Sequence, residues 1–434
     1  MLAVFLHELI LILGVSFHFT TFAFQLLPMN FYTHTLSNGI RIVHGRNTSP
    51  VAYCCLMVNA GTRDELDNEH GIAHFVEHVI FKGTKRRKAY HIMSRLEDVG
   101  GDLNAYTTKE ETVVHATFLK DDFHRAVELL YDIFFNSTFP EKELVKEKDV
   151  IIDEINSYKD SPSELIFDDF EELLYPNHPF GRNILGTKRH IKRFTKANIE
   201  SFLKRNYNTD QIVFCSIGNI PFKSVVRLAH RYFGSVSSNY RSEVRMAIPH
   251  SKPQHKEVAK STYQRHCMIG SKAYALNNED RIGLYLLSNI LGGPGQNSRL
   301  NLALRERNGL AYNVEATYTP YSDTGVFSVY FGTDKAQFER ALSLVYAEMK
   351  RLRDVPLGVQ QLVKAKKQLI GQLAIAAENS EALMLNTARA YMFFSEIDML
   401  DNVSQKIESI TANDLMRIAN DILDPHKLST LIYK

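Results

Sequence analysis

The 434-residue chain is poor in cysteine, nearly free of net charge and without a basic residue before Arg41, and each shortage excludes a class of protein. Cys54, Cys55, Cys215 and Cys267 sit in or beside apolar strand-like runs without paired spacing. That excludes a disulfide framework and a C-x-x-C metal site, and the four read as small buried hydrophobes in reducing surroundings. Basic and acidic residues almost cancel, 51 against 49, and the one compact basic run, Lys85-Arg86-Arg87-Lys88, is too narrow to track phosphates. Nucleic acid is therefore not an expected partner. Residues 1–28 are apolar but hold Glu8 and no Lys or Arg, which suits neither a secretory signal with its basic start nor a spanning helix. Two readings stay open: Met29 is the true start of a cytoplasmic protein, or 1–28 is a leader directing it to the membrane or periplasm.

What is present is enough apolar content, 44%, for more than one core, and length suggests two to three domains. A duplication is visible. Phe123-His124-Arg125-Ala126-Val127-Glu128-Leu129-Leu130-Tyr131 recurs 215 residues later as Phe338-Glu339-Arg340-Ala341-Leu342-Ser343-Leu344-Val345-Tyr346. Each copy follows alternating, strand-like residues, Thr112 to Leu119 and Gly325 to Phe331. The seam falls where turn formers and charge interrupt the periodic pattern. The expected organisation is a metal-binding half over 29–234, a linker over 235–260 and a second half over 261–434. The segment of the second half that matches the motif described next, Leu284 to Leu291, has no His or Glu at the required spacing, so only the first half can hold a metal.

The apolar run Ile72 to Phe81 contains His74, Glu77 and His78. At about 3.6 residues per turn the two imidazoles project from one helix face, with Glu77 beside them. Burying three titratable groups among Phe75, Val76, Val79 and Ile80 is costly unless something coordinates or pairs them. Neutral imidazoles are good zinc ligands, and a nearby carboxylate can take a proton from water. The order H-x-x-E-H reads as an inverzincin. His70 continues the ladder but precedes Gly71 at the start of the helix and reads as a surface residue.

A catalytic zinc needs a third protein ligand. Glu141 to Tyr158, preceded by Pro140, reads as an amphipathic helix with Leu144, Ile151 and Ile155 inward. Glu147 and Glu154 lie two turns apart on the inward side. Either they serve the metal, or a local ion pair or helix tilt satisfies them.

The stretch G-I-A-H-F-V-E-H-V-I-F-K-G-T from Gly71 to Thr84, followed 76 residues past His78 by Glu154 in D-V-I-I-D-E-I, resembles the pitrilysin family (M16) of zinc peptidases. That family includes insulin-degrading enzyme and the mitochondrial processing peptidase. The resemblance runs from Asn30 to Lys434 and implies that His74, His78 and Glu154 hold Zn2+, that Glu77 is the general base, and that Glu147 is their acidic partner. The family's G-x-x-N-A-x-T edge strand is matched at Gly101 to Thr107, implying that Asn104 and Ala105 face a substrate backbone. Arg305 and Tyr312 match residues that reach across from the metal-free half, and both are suitable donors to a developing oxyanion. Pro294, in Gly-Gly-Pro-Gly-Gln-Asn, departs from the family's glycine-rich loop and stiffens it. The implied fold is α+β, two homologous α/β-roll halves, each an antiparallel sheet with helices on one side, closing like a clam over a peptide chamber. The implied activity is zinc-dependent endopeptidase action on peptides or unfolded polypeptide, by a homodimer. Its alternatives are a non-catalytic core-protein-like scaffold and the catalytic subunit of a two-subunit processing peptidase.

Overall fold

The computed structural model describes residues 29–397 and 400–434. The apolar stretch 1–28 lies outside the described residues. The first half runs β1 (Asn30–Thr35), β2 (Arg41–Arg46), β3 (Val51–Val58), α1 (Ile72–Val79), α2 (Ala89–Glu97), β4 (Asp102–Thr107) and β5 (Thr112–Leu119). It continues through α3 (Phe123–Asn136), α4 (Glu141–Lys159), α5 (Pro162–Leu174), α6 (Lys188–Arg193), α7 (Lys196–Asn206), β6 (Ile212–Gly218) and α8 (Phe222–Phe233). Its sheet has the order β1-β2-β6-β3-β5-β4 and is antiparallel except for the parallel pair β2–β6. The Ser37-Asn38-Gly39 turn joins β1 to β2, with Gly39 at φ 98°, a conformation that glycine adopts without a Cβ clash.

The second half holds β7 (His255–Val258), β8 (Gln264–Ala273), α9 (Arg281–Gly292), β9 (Ala311–Pro320), β10 (Gly325–Asp334) and α10 (Phe338–Asp354). It ends with α11 (Val359–Ala377), α12 (Ser380–Phe394), α13 (Leu400–Ser409), α14 (Ala412–Ile422) and β11 (Ser429–Tyr433). Its sheet, β7-β11-β8-β10-β9, is likewise antiparallel but for one parallel pair, β7–β11. The repeat detected in the sequence is a structural one: β5 and β10 each end in a short 3-10 turn that leads into a helix beginning at Phe123 or Phe338. The stretch 235–260, expected as a linker, carries β7 at its end, and its residues 235–254 form neither helix nor strand.

Alternation along the strands sends successive side chains to opposite faces, and in both sheets both faces are buried. In β3, Cys54, Leu56 and Val58 pack with α3 and α8, while Cys55 and Met57 face the other way. There they meet Met384, Leu385, Ala388 and Met392 of α12, a helix of the second half. The exchange is mutual. Met268, Tyr330, Leu431 and Tyr433 of the second sheet pack against Ile166, Phe170 and Leu174 of α5, a helix of the first half. Each half thus keeps its own helices on one side of its sheet and lends one helix to the other. The cysteines are buried as expected of small hydrophobes. Among the described residues no helix is long and apolar enough to cross a membrane.

Candidate metal centre

Three elements build the site. Helix α1 has a strong apolar preference, and Ile72, Ala73, Phe75, Val76 and Val79 are fully buried against Leu144, Ile151 and Ile155 of α4 and Phe202 of α7. This packing fixes the rotation of α1, so its polar face, His74, Glu77 and His78, looks along α4 and toward the end of β4. The two imidazole centroids lie 4.7 Å apart. Glu154 comes from α4, with Oε2 3.4 Å from Nε2 of His78 and 3.8 Å from Nε2 of His74. Ligand atoms of His74, His78 and Glu154 all fall within 4.8 Å of one another.

That spacing fits a metal. Donors bound tetrahedrally at zinc's usual 2.0–2.1 Å sit about 3.4 Å apart, close to the carboxylate–imidazole distances of 3.4 and 3.8 Å. The chemistry of the set also fits. Burial, reinforced by neighbouring His78, lowers His74 to about 4, so its imidazole is neutral and free to donate a lone pair. Burial also opposes protonation of His78, but its contact with Glu154 outweighs this and raises the group overall, while the same contact lowers Glu154. Nδ1 of His74 is buried without a hydrogen-bond partner.

Glu147 stands behind the ligands. Its Oε2 is 3.4 Å from Nδ1 of His78 and its Oε1 2.8 Å from Nζ of Lys82. A carboxylate on the far nitrogen of a ligating histidine fixes the ring's tautomer and direction. Glu77 is half-buried, and burial raises its pKa above the ordinary glutamate value, with neighbouring Thr107 and His78 opposing the shift. A carboxyl shifted that way is better suited to carrying a proton near neutral pH.

The remaining sequence-predicted residues divide. Asn104 and Ala105 lie on β4, the terminal strand of its sheet, whose outer edge pairs with no other strand among the described residues. Asn104 is exposed and its amide donates to Asp102 at 2.6 Å. Arg305 lies in a π-helical turn, Asn301–Glu306, with its guanidinium 5.7 Å from the ring centroid of Tyr312, which is 84% exposed. The two are brought to each other. Neither makes a hydrogen bond, ion pair or ring contact with His74, Glu77, His78 or Glu154. His70, expected at the surface, is instead half-buried: Nε2 is 2.9 Å from the Asn183 carbonyl and the ring lies 5.8 Å from that of His190. It lines a cavity of about 830 Å³ with Arg182 and Lys159, apart from the metal-ligand set.

Two contacts escaped the sequence reading. Lys82, which holds Glu147, follows His78 at i+4 and so continues the polar face of α1 past its end. Thr107, which lies beside Glu77, shares a strand face with Ala105 through the period-2 alternation.

Comparison with known proteins gives a consistent picture. The family described as Insulinase (Peptidase family M16) matches residues 41–188, and the one described as Peptidase M16 inactive domain matches residues 193–369. The chain is 31% identical over 405 residues to a Rickettsia bellii protein named as an uncharacterized zinc protease, covering 93% of this chain and 97% of that one. It is 29% identical over 390 residues to the uncharacterized zinc protease YmxG of Bacillus subtilis, covering 90% and 95%. Among solved structures, a protease from Helicobacter pylori superposes with a TM-score of 0.84 at 22% identity, covering 94% of this chain and all of that one. A peptidase M16 inactive domain from Pseudomonas fluorescens does so with the same TM-score at 20% identity, over 93% and 98%.

Proposed function

Since the chain belongs to the M16 peptidase family, we propose that it is a zinc-dependent endopeptidase acting on peptides or unfolded segments, with the ion held by His74, His78 and Glu154. The observation that carries this reading is the convergence of two neutral-capable imidazoles and one carboxylate within 4.8 Å, with a second carboxylate, Glu77, on the helix face that carries the imidazoles. Bound there, zinc would supply Lewis acidity, making water a nucleophile near neutral pH and polarising the scissile carbonyl. The chain's own residues do the rest. Glu77 accepts the proton of the attacking water on a carboxylate oxygen and delivers it to the departing amine. Glu147, paired with Lys82, keeps His78 facing the ligand set. The open edge of β4 offers backbone N–H and C=O groups to an extended peptide, which gives affinity with little demand on side chains.

Arg305 and Tyr312 are donors without a reacting partner in their own chain, which favours a second copy bringing them to the cleft. A homodimer of this kind completes the oxyanion-binding groups. A scaffold role would have no use for a full ligand set, and a two-subunit processing peptidase would leave the lone chain inactive.

The test is cleavage of a quenched peptide by the purified chain, with zinc content measured in parallel. Parent activity should vanish with a chelator and return with zinc. Glu77→Gln should keep its zinc and lose activity by a factor of about 10² to 10⁴, while Glu154→Gln should lose zinc. Stoichiometric zinc and full activity in both variants would overturn the assignment, and a zinc-loaded but inactive parent would favour the partner-dependent reading.

A further inference from the structure

Helix α1 is eight residues long and carries three reactive side chains, so a small shift of its first turn moves all of them. Yet its N-cap is Gly71, which has no side chain to hold that turn. The first backbone N–H groups of a helix need acceptors from elsewhere. They find them six residues upstream. Oε2 of Glu65 accepts from the Gly71 N–H at 2.9 Å and Oε1 from the Ala73 N–H at 3.0 Å, while the Ile72 N–H goes to the Glu69 carbonyl at 2.8 Å. Glu65 is 3% exposed, and a buried acid spanning two amides of one helical turn is a clamp rather than a solvated cap.

The clamp is itself anchored. The backbone just before Glu65 is tied to the β4–β5 turn, the Thr62 N–H donating to the Thr108 carbonyl and the Arg63 N–H to that of Lys109. The same end of β4 brings Thr107 beside Glu77. Arg182 donates to the carbonyls of Glu65 and Leu66 from the other side. Gly71, at φ 96°, lies against Gly186, where an added Cβ would come within 2.7 Å of Gly186 Cα. The start of α1 is therefore referenced, through Glu65, to the β4–β5 turn.

We propose that Glu65 is a positioning residue for the metal centre, its two carboxylate oxygens setting the first turn of α1 and hence the direction in which His74 and Glu77 project. This rests on the reading of His74, His78 and Glu154 as metal ligands. In the full chain, Glu65→Gln leaves one acceptor and turns an amide N–H₂ toward the second backbone donor. Glu65→Asp keeps the carboxyl group but is one methylene short of spanning both.

Zinc affinity is read by competition with a chromogenic chelator, ligand geometry by the visible spectrum of the cobalt(II)-substituted chain, and turnover as kcat and KM separately, with circular dichroism confirming the fold. Glu65→Gln should bind zinc about 10- to 100-fold more weakly, shift the cobalt bands, and lower kcat with KM unchanged, and Glu65→Asp should fall between it and the parent. Parent-like zinc affinity and cobalt bands in a folded Glu65→Gln chain overturn the proposal. So does failure of both variants to fold, because the residue then serves the half as a whole. His74→Ala separates the two layers: if it keeps parent zinc affinity, the ligand reading fails, whereas if it loses zinc and Glu65→Gln does not, only the positioning role fails.

Discussion

At the scale of single residues, the site depends on burial being satisfied differently at neighbouring positions on one helix. His70 and His74 are both held well below the ordinary imidazole value by burial, each to about 4, and both lie beside a second imidazole, but His74 has in addition the Glu154 carboxylate at 3.8 Å. The hydrogen bond from His70 to the Asn183 carbonyl opposes the shift, while the nearby charges of Arg182 and Lys109 add to it. The consequence for stability has a definite sign. Between the unfolded value near 6.5 and about 4, the unfolded chain takes up a proton that folded His70 refuses, so stability is full above this window and lost as pH falls through it. The loss should be on the order of 1 to 3 kcal/mol given the group's partial exposure. Urea titrations of the parent and His70→Gln at pH 7 and pH 4.5 check this: the parent should lose more stability than the variant between the two, and parallel losses would count against it.

Much of the ligand set is legible at this scale, for a physical reason. The spacing of His74, Glu77 and His78 is a property of one helix, and α-helical geometry turns sequence spacing directly into spatial proximity. Glu154 needed more, because its distance from His78 depends on how α4 packs on α1. Inward periodicity alone left it open, and its side chain is in fact 42% exposed at the margin of the site. Glu65 was invisible because its partners are backbone amides, which no side-chain pattern reports. His70 was misplaced for a related reason: it looks like a frayed end until loop 183–186 packs over it.

At the scale of elements, the exchanged helices matter most. Helix α12 closes the first sheet from the far half of the sequence, and Leu385, 1% exposed, packs among Val43, Cys55 and Met57 there. Truncation of a fully buried leucine costs about 2–5 kcal/mol through lost burial and the cavity left behind. Leu385→Ala should therefore destabilise the first half although it lies in the second, and hydrogen exchange should report faster opening in β3 and β6. Protection lost only in the second half would argue against this coupling. Sequence periodicity identified β5, β10 and both Phe-led helices, yet α5 and α12 were assigned no special place. Their apolar faces look like those of any amphipathic helix, and nothing local records which sheet they cover.

At the scale of the whole molecule, the halves are joined by buried charge as well as by exchanged helices. Glu110 accepts from Arg63 at 2.5 Å, from Ser322 N–H at 2.8 Å and from Arg245 at 3.3 Å, and Arg63 makes a two-pronged pair with Asp323 at 2.8 and 3.0 Å. This network ties the β4–β5 turn, the segment 235–254 and the β9–β10 turn into one knot. Removing one member of a buried pair leaves its partner's charge uncompensated, at about 3–5 kcal/mol. Glu110→Ala should lower the chemical denaturation midpoint accordingly while the parent unfolds in a single transition. Two separate transitions in the parent would show the halves to be independent.

The exchange of α5 and α12 also sets a schedule for synthesis. The face of the first sheet formed by Val43, Cys55, Met57, Val113, Val213 and Cys215 is complete once residue 218 has emerged from the ribosome, but its cover arrives more than 150 residues later. For that interval a growing chain presents a broad greasy sheet to its surroundings, a surface prone to sticking to its neighbours. Newly made copies should therefore be early clients of chaperones that shield nascent polypeptides, released only when the last third of translation is done.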